Sequence, residues 1–90
     1  MGDEQGYRMP VILRFKGFKF WFYEADLDEP PHVHVGRENK EAKFWLSPVE
    51  RARTGRFRPV ELREIERILA EHRDYLLDAW NMEQSKRDNC

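Results

Sequence analysis

The sequence holds one cysteine, Cys90, at its last position. A lone cysteine can close no internal disulfide and build no cysteine-based zinc site within one chain, and it fits a reducing compartment. Cys90 reads as an incidental thiol rather than a nucleophile. No apolar run approaches the roughly 18–20 residues of a membrane span. The opening residues, Met1 to Arg8, have no apolar core, so they read as a flexible extension and not as a signal peptide, and Met9 offers a second start. A cytoplasmic protein without membrane contact is the expectation. Neither sign of charge dominates: the net charge is −1, far from the balance of a dedicated DNA-binding protein.

What the chain does have is a high charge density. Charged residues make up 37% and hydrophobic residues 40% of its 90 residues, and the mean hydropathy is −0.88. This describes one domain with a wet exterior, expected over residues 9–84, with 85–90 as a frayed tail. The charges are unevenly spread. Residues 8–58 carry eleven Lys/Arg against seven Asp/Glu, whereas 59–90 carry five against eight. A mildly basic front half is a pointer to polyanions.

The stretch most suited to chemistry is Glu29-Pro30-Pro31-His32-Val33-His34-Val35. On a strand, residues two apart share a face, with Cβ atoms roughly 6.5–7 Å apart. Val33 and Val35 then face a core, and His32 and His34 face the other way. Around this stretch, Val11–Phe15 and Phe18–Tyr23 read as strands joined by Lys16-Gly17, with Phe18, Phe20 and Phe22 on the core side. Glu24 to Pro31 is an acidic loop. His32–Arg37 and Lys40–Leu46 read as a hairpin whose Ala42, Phe44 and Leu46 join the core. Ser47-Pro48-Val49-Glu50 has the form of a helix capping box and predicts a short helix ending by Gly55. Pro59 opens a long helix with a stripe of Leu62, Ile65, Leu69, His72, Leu76, Ala79 and Trp80. The expected fold is α+β: a four-stranded, mostly antiparallel sheet, a short helix, and one long C-terminal helix packed on one face.

Residues 59–84 as one helix would span about 39 Å, against roughly 20 Å for a six-residue strand. The overhanging end makes Leu76, Leu77 and Trp80 a candidate partner interface, for a homodimer or a second protein. A helix crossing the sheet diagonally is the alternative.

The face away from the helix would display Trp21, Tyr23, His32, His34, Lys43 and Trp45, with Arg14 nearby. Three uses of it stay open. Aromatic rings can stack on bases while Arg14, Arg53 and Arg56 meet phosphates, and His32, His34 and Lys43 can supply acid–base catalysis to a metal-independent ribonuclease. His32 and His34 can instead clip a metal ion, with a third ligand from Glu29, Glu41, His72 or a partner chain, of which His72 is poorly placed and Glu41 better. Or the histidines are structural, and Trp21 and Trp45 cover one another or a partner protein. No motif points to an organic cofactor.

The segments Pro10-x-Ile12-x-Arg14-Phe15-x-Gly17, Glu29-Pro30-Pro31-His32-Val33-His34-Val35, Ala42-Lys43-Phe44-Trp45-Leu46, Glu61-Leu62-Arg63-Glu64-Ile65 and Glu71-His72-Arg73 resemble a small prokaryotic family catalogued as domain of unknown function 4160. The likeness covers about residues 9–82, and Pro-Pro-His-x-His is its most specific mark. It implies His32, His34, Lys43, Trp45 and His72 as recurring positions. It also implies a stand-alone cytoplasmic protein in a toxin–antitoxin-like gene pair, with a cognate antitoxin-like protein as partner, and together with the basic, aromatic face this makes action on RNA the leading expectation. Relatives tend to cap the long helix with serine, where this chain has Arg58-Pro59.

Overall fold

Lys16-Gly17, Glu38-Asn39 and Ser47-Pro48 are where the front half of the chain reverses, and between them lie strands. The computed structural model describes residues 10–88. Its elements are β1 (Leu13–Phe15), β2 (Phe18–Trp21), a 3-10 turn (Glu24–Asp28), β3 (His32–Arg37), β4 (Lys40–Leu46), β5 (Val49–Arg53), α1 (Pro59–Glu71) and α2 (Arg73–Asp88). The strands form one sheet in chain order, every neighbouring pair antiparallel. The class is α+β, as the sequence predicts, and two elements differ. Residues 1–8, expected as an extension, and Asn89 and Cys90 of the expected tail lie outside the described residues.

The first difference is a fifth strand where a short helix was expected. Ser47-Pro48 forms a hairpin turn, and Val49 to Arg53 pair with β4 through Leu46↔Val49, Trp45↔Glu50, Phe44↔Arg51 and Lys43↔Arg53, with a bulge between Lys43 and Phe44. A capping signal stabilises a helix by only about 1 kcal/mol. The ladder offered by the free edge of β4, with Val49 packed against the core, outweighs it. Gly55 follows with φ +61°, and a Cβ there would collide with the Glu41 carbonyl oxygen, so the chain leaves β5 where only glycine fits.

The second difference is the long helix, which breaks at His72 (φ −111°, ψ 17°). Arg73 Nε donates to Leu46 O at 3.0 Å and Tyr75 Oη to Ile12 O at 2.8 Å, which ties the start of α2 to two parts of the sheet. Leu76 and Trp80 then turn into the domain's own core, beside Phe22, Leu27, Val33, Phe44 and Ile65. Leu76, Leu77 and Trp80, expected as a partner interface, are thus placed in or against the domain's own core. Leu76 and Trp80 are 0% and 1% exposed, and Leu77 is half-buried against the same cluster.

The start of α1 compensates for its missing serine. Glu61 Oε1 accepts from the Arg58 backbone N–H at 2.8 Å, and its two oxygens each accept from Lys40 Nζ at 3.1 Å. This buried carboxylate pins the helix to β4. No helix among the described residues is long and apolar enough to cross a membrane.

Candidate metal centre

Pairing in register places residues on a common face, and three rows cross the side of the sheet away from α1. They are Arg14–Lys19–Gly36–Glu41, Trp21–His34–Lys43–Arg53 and His32–Trp45–Glu50. The alternation expected for β3 and β4 is thus present. The face is not the open platform that alternation alone suggests. Trp21 is 4% exposed and stacks on His34 (centroids 6.2 Å, 20° between planes). Its ring lies over Gly36, where a Cβ would stand 2.9 Å from Trp21 Cη2. Tyr23 meets His34 edge-on at 4.5 Å.

The two histidines are buried, His32 at 0% and His34 at 4%. What buries their polar ends is the 3-10 turn. Because Trp21 pairs with His34, the loop between β2 and β3 must start and finish beside the histidines, and it brings a carboxylate with it. Asp26 Oδ2 lies 2.9 Å from His32 Nε2 and 2.9 Å from His34 Nε2. On its other side His32 Nδ1 donates to Pro30 O at 2.9 Å. His34 Nδ1 is buried with no hydrogen-bond partner, its nearest carboxylate oxygen being Glu41 Oε2 at 3.5 Å.

Burial alone would raise the Asp26 pKa, but the hydrogen bonds and charges of the two imidazoles outweigh it and hold the carboxyl below its ordinary value. Burial lowers the His34 pKa, and its bond to Asp26 offsets only part of that. Asp26 is thus favoured as an anion and His34 as a neutral ring, whose lone pair comes to Nε2 once the proton facing Asp26 moves to Nδ1. Both are the forms a metal ion requires of its ligands.

The donor count at His32 is the decisive point. A peptide oxygen can only accept, so Nδ1 carries the proton. Nε2 then faces a carboxylate oxygen that His34 Nε2 also faces. Two N–H donors would satisfy that oxygen, at the cost of a buried imidazolium whose desolvation must be repaid by the pair. A cation among Asp26 Oδ2, His32 Nε2 and His34 Nε2 satisfies all three atoms while both imidazoles stay neutral. These ligand atoms lie within 4.8 Å of one another. A tetrahedral ion with bonds near 2.0–2.1 Å needs them about 3.3 Å apart, so the two 2.9 Å contacts must open by a few tenths of an ångström and the two Nε2 atoms, within 4.8 Å of one another, must come to the same spacing. A ligating histidine whose other ring nitrogen donates to a main-chain carbonyl is the usual outer-shell arrangement.

The other sequence candidates sit around this group rather than in it. Glu41 accepts from Tyr23 Oη at 3.4 Å and stands on the Nδ1 side of His34, away from the Nε2 atoms that Asp26 faces. Lys43 Nζ donates to Glu29 Oε1 at 3.1 Å and lies 4.7 Å over the Trp45 ring. Glu29 is 3.8 Å from His32 Nδ1. His72, at the helix break, directs Nδ1 to Ile68 O at 2.9 Å and packs on Phe15, away from the centre. Arg14, Arg53 and Arg56 are exposed, with no hydrogen bond or ion pair to the centre among the described residues. Asp26 is the residue that sequence reasoning missed; its signal was its place in a loop whose two ends are fixed beside His34.

A family model described as a domain of unknown function, DUF4160, matches residues 17–81. The chain belongs to this family. The match spans every element from β2 through most of α2, so Asp26, His32 and His34 all fall inside the family domain. No curated protein and no solved structure matches the chain.

Proposed function

We propose that this DUF4160 protein binds a divalent first-row transition-metal ion through Asp26 Oδ2, His32 Nε2 and His34 Nε2. The observation that carries the reading is that Asp26 Oδ2 faces both Nε2 atoms while Pro30 fixes the proton of His32 on the opposite nitrogen. Two imidazoles and one carboxylate suit zinc, iron(II), cobalt(II) or nickel(II) rather than magnesium or calcium, which prefer oxygen. Three protein ligands leave a position for water or another donor. It would open on the side of Asp26, whose side chain is 22% exposed, against 1% and 5% for the histidines.

The same geometry does not favour a ribonuclease that uses the two histidines as a metal-independent acid–base pair. Such a pair needs ring nitrogens within hydrogen-bond reach of a substrate hydroxyl, and both Nε2 atoms are spent on Asp26. A polyanion-binding role draws separate support from the cross-strand neighbours Arg14–Lys19 and Lys43–Arg53. If that role is real, RNA affinity falls in Arg14→Ala/Arg53→Ala and with rising salt; equal affinity in the variant removes it.

The test of the metal reading is elemental analysis of protein purified without a histidine tag, after dialysis against a trace-metal mixture. One equivalent of a transition metal per chain is expected, and less than a tenth of an equivalent in Asp26→Asn and His34→Ala. No bound metal in the wild type ends the reading.

A further inference from the structure

We infer that an ion at this centre clamps α2 onto the sheet, making the C-terminal helix a metal-responsive element. The inference rests on the metal reading above and adds a consequence of it.

It starts from how little apolar packing holds α2. Of its described residues only Leu76 and Trp80 are fully buried, with Leu77 and Ala79 partly buried against the core; Tyr75 and Met82 are 53% and 59% exposed. Beyond Trp80, two polar contacts from α2 converge on one element. Gln84 Nε2 donates to Leu27 O at 2.7 Å, and Arg87 Nη2 donates to Asp28 Oδ1 at 2.8 Å. Leu27 and Asp28 directly follow Asp26 in the 3-10 turn. Trp80 itself packs on His32, with centroids 5.2 Å apart, and edge-on to Phe22 at 5.1 Å. Three successive turns of α2 thus rest on a ligand or on the neighbours of a ligand.

The turn is a short connection. Apart from its contacts with α2, it is held by Leu27 in the core and by Asp26 on the two histidines. Hydrogen bonds to two imidazoles hold Asp26 in place. A metal–carboxylate bond fixes the oxygen more tightly and ties β3 to the turn directly. Loss of the ion loosens the turn, and the docking surface for Gln84 and Arg87 loosens with it. α1 is held separately, by Leu62, Ile65, Ile68 and Leu69 in the core and by Glu61 on Lys40, so it should not respond.

Hydrogen exchange on full-length protein, with zinc added at one equivalent or removed by chelator, tests this. Zinc is expected to slow exchange of residues 80–87 at least tenfold and to leave residues 62–69 within twofold. Gln84→Ala/Arg87→Ala should bind zinc with unchanged stoichiometry but lose the α2 response. Zinc binding with no change over 80–87 overturns the clamp and leaves the metal centre standing. Equal slowing over both helices also overturns it, because that is general stabilisation by ligand. Failure to bind zinc, cobalt or nickel overturns both statements.

Discussion

Trp80→Ala separates a core role for α2 from an interface role. Trp80 is 1% exposed and touches Phe22 and His32 at ring distances of 5.1 and 5.2 Å. A buried indole removes about 200 Å² from water, which at about 25 cal/mol per Å² is worth about 5 kcal/mol. Partial collapse of the cavity returns some of this, so a loss of about 3–5 kcal/mol is expected. A domain of this size has a total stability on the order of 5–13 kcal/mol, so the variant should be much weakened. Urea unfolding followed by circular dichroism is the assay, with Met82→Ala, an exposed neighbour on the same helix, as control. The midpoint should fall steeply for Trp80→Ala, at an unchanged m-value, and stay within about 0.5 kcal/mol for Met82→Ala. Light scattering supplies the alternative outcome. If Trp80→Ala keeps the wild-type midpoint and converts a dimer to a monomer, the packing described for α2 is wrong and Trp80 belongs to an interface.

Three further outcomes follow from single contacts. Gly36→Val should displace the Trp21 ring, which already stands where a Cβ would be; a loss of about 1–3 kcal/mol and an altered near-ultraviolet spectrum are expected. Gly55→Ala should destabilise by at least about 1 kcal/mol, because φ is +61° and the Glu41 carbonyl blocks the new methyl. Glu61 has its pKa held below its ordinary 4.5 by the Arg58 backbone N–H first and by Lys40 next. Its contribution is therefore complete above about pH 4.5 and lost as pH falls through the depressed value. Glu61→Gln should be less stable than wild type at pH 7, and the gap should narrow in acid; a gap that is constant with pH contradicts the assignment.

Much of the fold could be read from side-chain period. Phe18, Phe20 and Phe22, the valines of β3, and Ala42, Phe44 and Leu46 alternate cleanly, and all are in the core. Local signals failed where tertiary pairing decided the outcome. Ser47-Pro48-Val49-Glu50 satisfies the rules for a helix start, yet an unpaired edge of β4 was available and took the segment as a strand. Leu76 and Trp80 continue the apolar stripe of α1, so periodicity alone implies one unbroken helix; the interruption at His72 (φ −111°, ψ 17°) leaves no signal in that period. At the centre, the sequence exposed the two histidines and their shared face. It hid Asp26, because four acidic residues occupy one loop and only the folded turn selects among them. Alternation told which residues share a face, but not that the loop would fold back over it.

The metal centre is tested most directly by titrating untagged, metal-free protein with cobalt(II) and following its visible absorption, alongside Asp26→Asn, His34→Ala and Glu41→Gln. The account predicts saturation at one equivalent in the wild type and in Glu41→Gln, with the bands lost in Asp26→Asn and His34→Ala. Absence of any saturable signal in the wild type contradicts it. Loss of the signal in Glu41→Gln, with Asp26→Asn unaffected, contradicts the choice of Asp26 as third ligand.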